Sequence, residues 1–242
     1  MIRAVFFDLG RTLLYHTTPW QPILAKSNNA LIKALHTNGV DVDPATFHPA
    51  FIKRLNQYYA DREITLREDT TFSMLRDLLA DEGFRDAPDP VIRAAIDAKY
   101  AITQKSWHLE PDAHAMLDEL KQDGYILALL SNAGDDPDVQ ALIDQNDLRH
   151  YFKHIRTSAA CGVRKPHPRI FREALKALSL HPGECVMVGD TLNADIKGAN
   201  ALGIYSIWIN RRVNKNPKDL QEIHPKAVIA TLAELPALIK SL

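Results

Sequence analysis

Short, unbroken apolar runs recur along the chain, and each ends at a polar residue or glycine. Ala4-Val5-Phe6-Phe7 stops at Asp8 and Gly10, Tyr125 to Leu130 stops at Ser131-Asn132, Val186-Met187-Val188 stops at Gly189-Asp190, and Tyr205 to Ile209 stops at Asn210. Runs of this length without polar alternation are the pattern of strands buried on both faces. Between them, apolar residues fall three and four positions apart: Ala113, Met116, Leu117 and Leu120 in one stretch, Ile170, Ala174, Leu175 and Leu178 in another. That spacing predicts helices with one apolar face. Strand alternating with helix predicts an α/β fold with a Rossmann-like parallel sheet covered by helices on both sides.

From about Pro19 to Lys105 the pattern changes. Strand runs are missing, and helical spacing continues throughout: Leu24, Leu31 and Leu35 share one face, closed by Asn38-Gly39; Phe51, Leu55 and Tyr58 share a second; Phe72, Leu75 and Leu79 a third; Ile92, Ile96 and Tyr100 a fourth. The spacing predicts a four-helix lobe over residues 17–109, inserted into a core made of residues 1–16 and 110–242. The chain leaves and re-enters the core near Thr17-Thr18-Pro19 and Trp107-His108-Leu109-Glu110-Pro111, so two adjacent linkers carry the lobe. A lobe hung in this way can open and close as a lid.

Charge and cysteine content narrow the functional classes. Twenty-nine basic against thirty acidic side chains give no global field toward nucleic acid or an anionic membrane. Cys161 and Cys185 are the only cysteines and lack metal-ligand or CxxC spacing, which fits a reducing, cytoplasmic setting. The first apolar run meets Asp8 too soon for a signal peptide or a membrane span. An apolar lobe face is compatible with a monomer and with a homodimer alike.

In an open parallel sheet, ligands bind beyond the carboxyl ends of the strands. Asp8, Ser131 and Asp190 end strands there, and Lys165 lies in Arg164-Lys165-Pro166-His167-Pro168 just before a helix. Two carboxylates, a hydroxyl and an ammonium in one cleft suit a phosphate and a divalent cation. An isolated aspartate at a strand end is more often a turn former or a helix cap, so the constellation carries the argument.

The constellation resembles the haloacid dehalogenase (HAD) superfamily. Phe6-Phe7-Asp8-Leu9-Gly10-Arg11-Thr12-Leu13 looks like its first motif, Leu130-Ser131-Asn132 its second, Arg164 to Phe171 its third, and Gly189-Asp190-Thr191-Leu192-Asn193-Ala194-Asp195 its fourth, in family order. The resemblance implies a helical cap between the first two motifs and hydrolysis of a small phosphorylated metabolite through an aspartyl-phosphate on Asp8. It implies Mg2+ held by Asp8, Asp190 and the backbone carbonyl of Gly10, with Asp195 in support. Hard oxygen donors fit magnesium, with manganese a possible substitute. Ser131 and Lys165 are the expected phosphate clamp and catalytic partners of Asp8. Thr12 and Asn132 are further substrate-binding candidates, with ordinary loop hydrogen bonding an equal alternative for each.

One family element is absent. The second aspartate, which protonates the leaving alcohol and then activates water, is Gly10 here. Such proton transfer is worth roughly 10²–10⁴ in rate. Two alternatives therefore stand beside the phosphatase: a metal-independent 2-haloacid dehalogenase-type hydrolase, and a non-catalytic phosphate-binding protein. Arg11, Tyr15 and His16 are the nearby polar groups that might have compensated. Trp20 and Trp107 read as packing between lobe and core or as the cleft mouth, while Arg62, Glu63, Arg67 and Glu68 read as solvated helix faces.

Overall fold

The computed structural model describes residues 1–16, 19–212 and 221–242. The chain opens with β1 (Ala4–Phe7) and β2 (Leu14–His16), then runs through helices α1 (Trp20–Thr37), α2 (Pro44–Thr65), α3 (Thr71–Asp81) and α4 (Asp89–Gln104). It returns through β3 (Trp107–Leu109) and α5 (Ala113–Gln122) to β4 (Ile126–Ser131), α6 (Asp136–Gln145), β5 (Phe152–Thr157), α7 (Ser158–Cys161) and α8 (Pro168–Leu178). Next come β6 (Cys185–Gly189), a π-type turn at Leu192–Ile196 and α9 (Lys197–Leu202), followed by β7 (Tyr205–Ile209), β8 (Ala227–Ile229) and α10 (Leu235–Lys240). Among the described residues no helix is long and apolar enough to cross a membrane.

Six strands form a parallel sheet in the order β5-β4-β1-β6-β7-β8, with β1 between β4 and β6. The period of two along β1 assigns its side chains. Val5 and Phe7 enter the core shared with Met116 and Leu117 of α5 and Leu235 and Ile239 of α10. Ala4 and Phe6 enter the opposite core with Ile170, Phe171 and Ala174 of α8 and Ala199 of α9. Helices cover both faces, which is why the strand reads as an uninterrupted apolar run.

The sequence reading omitted β5 and β8. β5 (FKHIRT) is a half-exposed edge strand with polar alternation, and β8 is only three residues long. Neither has the double-sided burial that makes an apolar run conspicuous.

Helices α1 to α4 enclose a separate cluster built on Leu31, Leu35, Phe51, Leu75, Leu79 and Ile96. The second expected linker begins as β3, which pairs in an antiparallel ribbon with β2, just ahead of the first, matching Leu14 to Leu109 and His16 to Trp107. Thr17 and Thr18 lie outside the described residues. The ribbon is pinned to the core: Glu110 follows β3, is buried, and pairs with Arg211 at 2.7 Å and with Arg212. The Arg212 guanidinium lies 3.8 Å over the ring of Tyr15. The lobe also meets the core at its far side, where the Arg164 amide donates to the Leu66 carbonyl (3.0 Å), the Glu68 amide to Gly162 (3.2 Å) and the Thr71 amide to Gly134 (2.7 Å).

Candidate active site

The carboxyl ends of β1, β4 and β6 converge on a cavity of about 410 Å³, within the range of small-molecule sites. Asp8 follows β1, and its backbone N–H donates to the Val188 carbonyl at 3.0 Å, which fixes it beside β6. The chain then turns sharply. The Leu9 carbonyl accepts from both Leu13 and Leu14, and Arg11 takes a left-handed φ of 65°. The turn returns Thr12 beneath Asp8, where its hydroxyl lies 3.3 Å from Asp8 Oδ2. Thr12 is fully buried and does not line the cavity, so the structure makes it a group that orients Asp8 rather than the substrate contact expected.

Lys165 reaches the same point from the loop before α8. Its Nζ donates to Asp8 Oδ1 at 2.8 Å and to the Leu130 carbonyl at 2.6 Å, and it forms an ion pair with Asp195 Oδ1 at 2.7 Å, a buried oxygen that accepts no hydrogen bond among the described residues. Burial works to lower its pKa, but the charges of Asp195 and Asp8 outweigh burial and raise it. Asn132 holds this loop with both ends of its amide, donating to the Lys165 carbonyl (3.0 Å) and accepting from the Lys165 N–H (2.8 Å). Asn132 lines the cavity, and its amide positions Lys165. Ser131 lines the cavity at the end of β4.

Asp190 follows β6, with Oδ1 accepting from the Thr191 hydroxyl at 2.9 Å and Oδ2 lying 3.3 Å from Arg11 Nε. Asp195 folds back from the π-type turn, and its Oδ2 accepts from the Thr191 N–H at 3.0 Å. Gly189 makes that fold possible, because a Cβ there would fall 2.3 Å from the Asp195 carboxyl carbon. Burial, reinforced by the charge of Asp8, pushes Asp190 up to about 6. Asp195 is raised to about 7 by burial, with Lys165 opposing and the charges of Asp8 and Asp190 adding to the rise.

Carboxylate oxygens of Asp8, Asp190 and Asp195 lie within 4.8 Å of one another. Three buried acids in an all-oxygen donor set, two of them raised by burial and by their neighbours' charge, fit a hard divalent cation, which would relieve their repulsion. The Gly10 carbonyl accepts no hydrogen bond among the described residues, which suits the ligand role expected of it.

Gly10 is flanked by an indole. A Cβ at this position would touch the Trp107 ring at 3.4 Å, an ordinary van der Waals contact, so the ring borders the side on which the missing acid would stand. Trp107 packs in turn against Trp20 (5.7 Å) and His16 (5.4 Å between ring centroids). Of the three compensating groups considered, only Arg11 faces the cavity. Tyr15 lies under Arg212, and His16 belongs to the tryptophan cluster.

Two residues expected on a solvated helix face, Arg62 and Glu63 from the last turn of α2, line the cavity instead, and so do Arg164 of the third motif and Asp138. Glu68 is buried rather than solvated, bound to Tyr58, to the Ser158 hydroxyl (2.6 Å) and to Arg164 (3.3 Å). An apolar-face count could not have found these groups, since α2 presents them from a helix end whose aim depends on the lobe's docking.

Compared with known proteins, residues 2–203 match the haloacid dehalogenase-like hydrolase family. The chain belongs to that family. As a HAD hydrolase it has phosphatases among its relatives: a phosphoserine phosphatase of Thermus thermophilus is 35% identical over 54% of this chain and 51% of its own length. A glyceraldehyde 3-phosphate phosphatase of Pyrococcus furiosus is 29% identical over 86% of this chain and 80% of its own. The HAD fold extends to a 2-haloacid dehalogenase structure from Pseudomonas syringae pv. Tomato DC3000, with a TM-score of 0.74, 23% identity, and 100% and 99% of the two chains covered.

Proposed function

We propose that this HAD hydrolase is a magnesium-dependent phosphatase that cleaves small phosphate monoesters through an aspartyl-phosphate on Asp8. The observation that carries the reading is the buried cluster of Asp8, Asp190 and Asp195 around one cavity, with Lys165 bonded to two of them. A dehalogenase attacking carbon has no use for three clustered carboxylates, whereas a phosphatase needs a cation to admit an anionic substrate. The fully described helices α1 to α4 serve as the cap, within the 17–109 division set against a core of 1–16 and 110–242. The phosphatases among its relatives support the substrate class.

Asp8, Asp190 and the Gly10 carbonyl would hold Mg2+, and Asp195 would support it through its contacts with Thr191 and Lys165. When bound, the ion offsets negative charge on the phosphoryl oxygens and on the attacking carboxylate. Thr12 and Lys165 fix the Asp8 carboxylate for attack on phosphorus. As the Asp8 oxygen–phosphorus bond forms, the ester oxygen leaves with the bonding electron pair. Lys165 and Ser131 bind phosphoryl oxygens, so that charge building in the transition state meets fixed donors. Water then attacks phosphorus, the bond to Asp8 breaks, and inorganic phosphate is released with Asp8 restored.

Gly10 supplies no proton to the leaving oxygen, and the Trp107 ring borders that side. Aryl and acyl phosphates, whose leaving groups need little protonation, should therefore turn over faster than alkyl phosphates. The same feature is what favours the dehalogenase reading, since halide departs without an acid. The test is release of inorganic phosphate from an aryl phosphate with and without Mg2+, in wild type and Asp8→Asn. Metal-dependent turnover that disappears in Asp8→Asn is expected. Halide release from a 2-haloacid, with no phosphate release, would establish the second reading instead.

A further inference from the structure

Two sets of charges face each other across the cavity, and the proposed reaction uses only one of them. Asp8, Asp190, Lys165 and Arg11 gather at the strand ends and account for the phosphoryl group and the cation. Arg62 and Arg164 stand on the other wall without a task.

Arg62 is held but not satisfied. Its guanidinium lies over the rings of Tyr59 (4.4 Å) and Tyr58 (5.3 Å), which fix its plane. Its Nε is buried and makes no hydrogen bond, and the nearest carboxylate, Glu63 Oε1, stands 3.5 Å away on a side chain two-thirds exposed to solvent. A buried guanidinium N–H without an acceptor is uncommon, and the side chain as a whole, 27% exposed, lines the cavity with a positive charge that Glu63 offsets only in part. Arg164 reinforces the wall and is itself anchored, with Nη1 3.3 Å from Glu68 Oε2 and 3.4 Å from the Tyr58 hydroxyl. Tyr58 thus joins both arginines, stacking under one and bonding beside the other. The backbone bonds of Leu66 and Glu68 to Arg164 and Gly162 lock this wall to the loop that carries Lys165. The distance between the two anion-binding ends is thereby set by the backbone, and the cavity is several times larger than a phosphoryl group requires.

We propose that Arg62, backed by Arg164, binds a second anionic group on the substrate, so that this enzyme prefers phosphate monoesters carrying a carboxylate or a second phosphate over neutral phosphorylated alcohols. The inference rests on the phosphatase reading and narrows its substrate class. Glu63 also lines the cavity and opposes an anionic group, but its side chain is two-thirds exposed and so screened by solvent, whereas Arg62 is fixed by the tyrosine rings, so the arginine dominates the selection.

The experiment compares matched pairs on the same protein: 3-phosphoglycerate against glycerol 3-phosphate, and fructose 1,6-bisphosphate against fructose 6-phosphate. Wild type should favour the more anionic member of at least one pair by about 10–100-fold in kcat/KM, the worth of a charge-assisted hydrogen bond, and mainly through KM. The first pair reports a carboxylate and the second a phosphate. In Arg62→Gln that ratio should collapse toward one, and Arg62→Lys should recover part of it. Because both members are assayed on one protein, loss of folded material cancels. Ratios near one in wild type, or a ratio kept in Arg62→Gln, overturn the subsite. Failure of every phosphate ester overturns the phosphatase reading instead, and the subsite is then read by calorimetric titration of 3-phosphoglycerate into Asp8→Asn with and without Arg62→Gln. Equal affinities there overturn it, and weaker binding to the doubly substituted protein supports it.

Discussion

The two walls of the cavity are built differently. On the sheet side the acids and Lys165 are buried and tied to one another: Lys165 donates to Asp8 and to a carbonyl and pairs with Asp195, and Asp195 fits only because residue 189 has no side chain. On the lobe side Arg62 is held by ring stacking and leaves a donor unused. A wall of buried, mutually paired charges is preorganised for one chemical event, while a partly exposed arginine with an idle donor is completed by its ligand. On the proposed reading the reaction belongs to the strand ends and the choice of substrate to the end of α2.

The sharpest way to break that division is to remove charge from the sheet wall. Lys165→Met leaves Asp8 and Asp195 facing each other without compensation and takes one donor from the transition state. The expected loss in kcat is about 10²–10³-fold for every phosphate ester, irrespective of its other charges. Substitution of Arg62 should instead act mainly on KM and only for anionic substrates. Steady-state kinetics of Lys165→Met on the two matched pairs would separate these outcomes, and a loss confined to one substrate would undo the comparison.

A smaller effect concerns the boundary between the walls, where Trp107 of β3 flanks Gly10 of the first loop. Gly10→Asp places a carboxyl where an acid would serve, with its Cβ in van der Waals contact with the indole at 3.4 Å, so the ring limits the directions the carboxyl can take. Gly10→Asp combined with Trp107→Ala should raise kcat on an alkyl phosphate by about 10-fold or more, a fraction of what general acid catalysis supplies. The single substitution should gain less. Equal gains by both would show that the ring is no obstacle.

This division also explains what the sequence revealed. Strand ends are punctuated locally, so Asp8, Ser131 and Asp190 could be read from where apolar runs stop, and the parallel sheet makes them converge. Thr12 and Asn132 were found as residues but not as roles, because a hydroxyl or amide in a turn can point to substrate or to a neighbour. Here both serve neighbours, Asp8 and Lys165. Arg62 and Glu63 were illegible for a different reason. A charged pair at the end of an amphipathic helix looks the same in water and in a cavity, and only the docking of residues 66–71 against residues 133–134 and 162–164 decides between them. The β2–β3 ribbon was hidden because three-residue strands carry no periodicity of their own.

The smallest effect is one of stability and lies where α4 of the lobe meets α6 of the core. Arg93 takes the carboxylate of Asp135 at 2.7 Å, whereas Asp138, three residues on, receives only the neutral amide of Gln104 at 2.9 Å. Burial therefore dominates at Asp138 and pushes it up to about 7, with Gln104 opposing, the charge of Asp135 adding to the rise, and Arg93 and Lys99 opposing. A carboxyl raised on folding binds its proton more tightly in the native state than in the unfolded chain. Its contribution is favourable below the ordinary carboxylate range, declines as pH rises toward 7, and is lost above it. Asp138→Asn keeps an acceptor for Gln104 and cannot ionise. Its stability relative to wild type should rise by about 2–3 kcal/mol between pH 5 and pH 8. Urea unfolding of both proteins at the two pH values measures the change, and groups common to both cancel in the difference. A gap that does not widen with pH would mean that Asp138 ionises as freely in the folded protein as in water, and that the contact between α4 and α6 carries no buried acid.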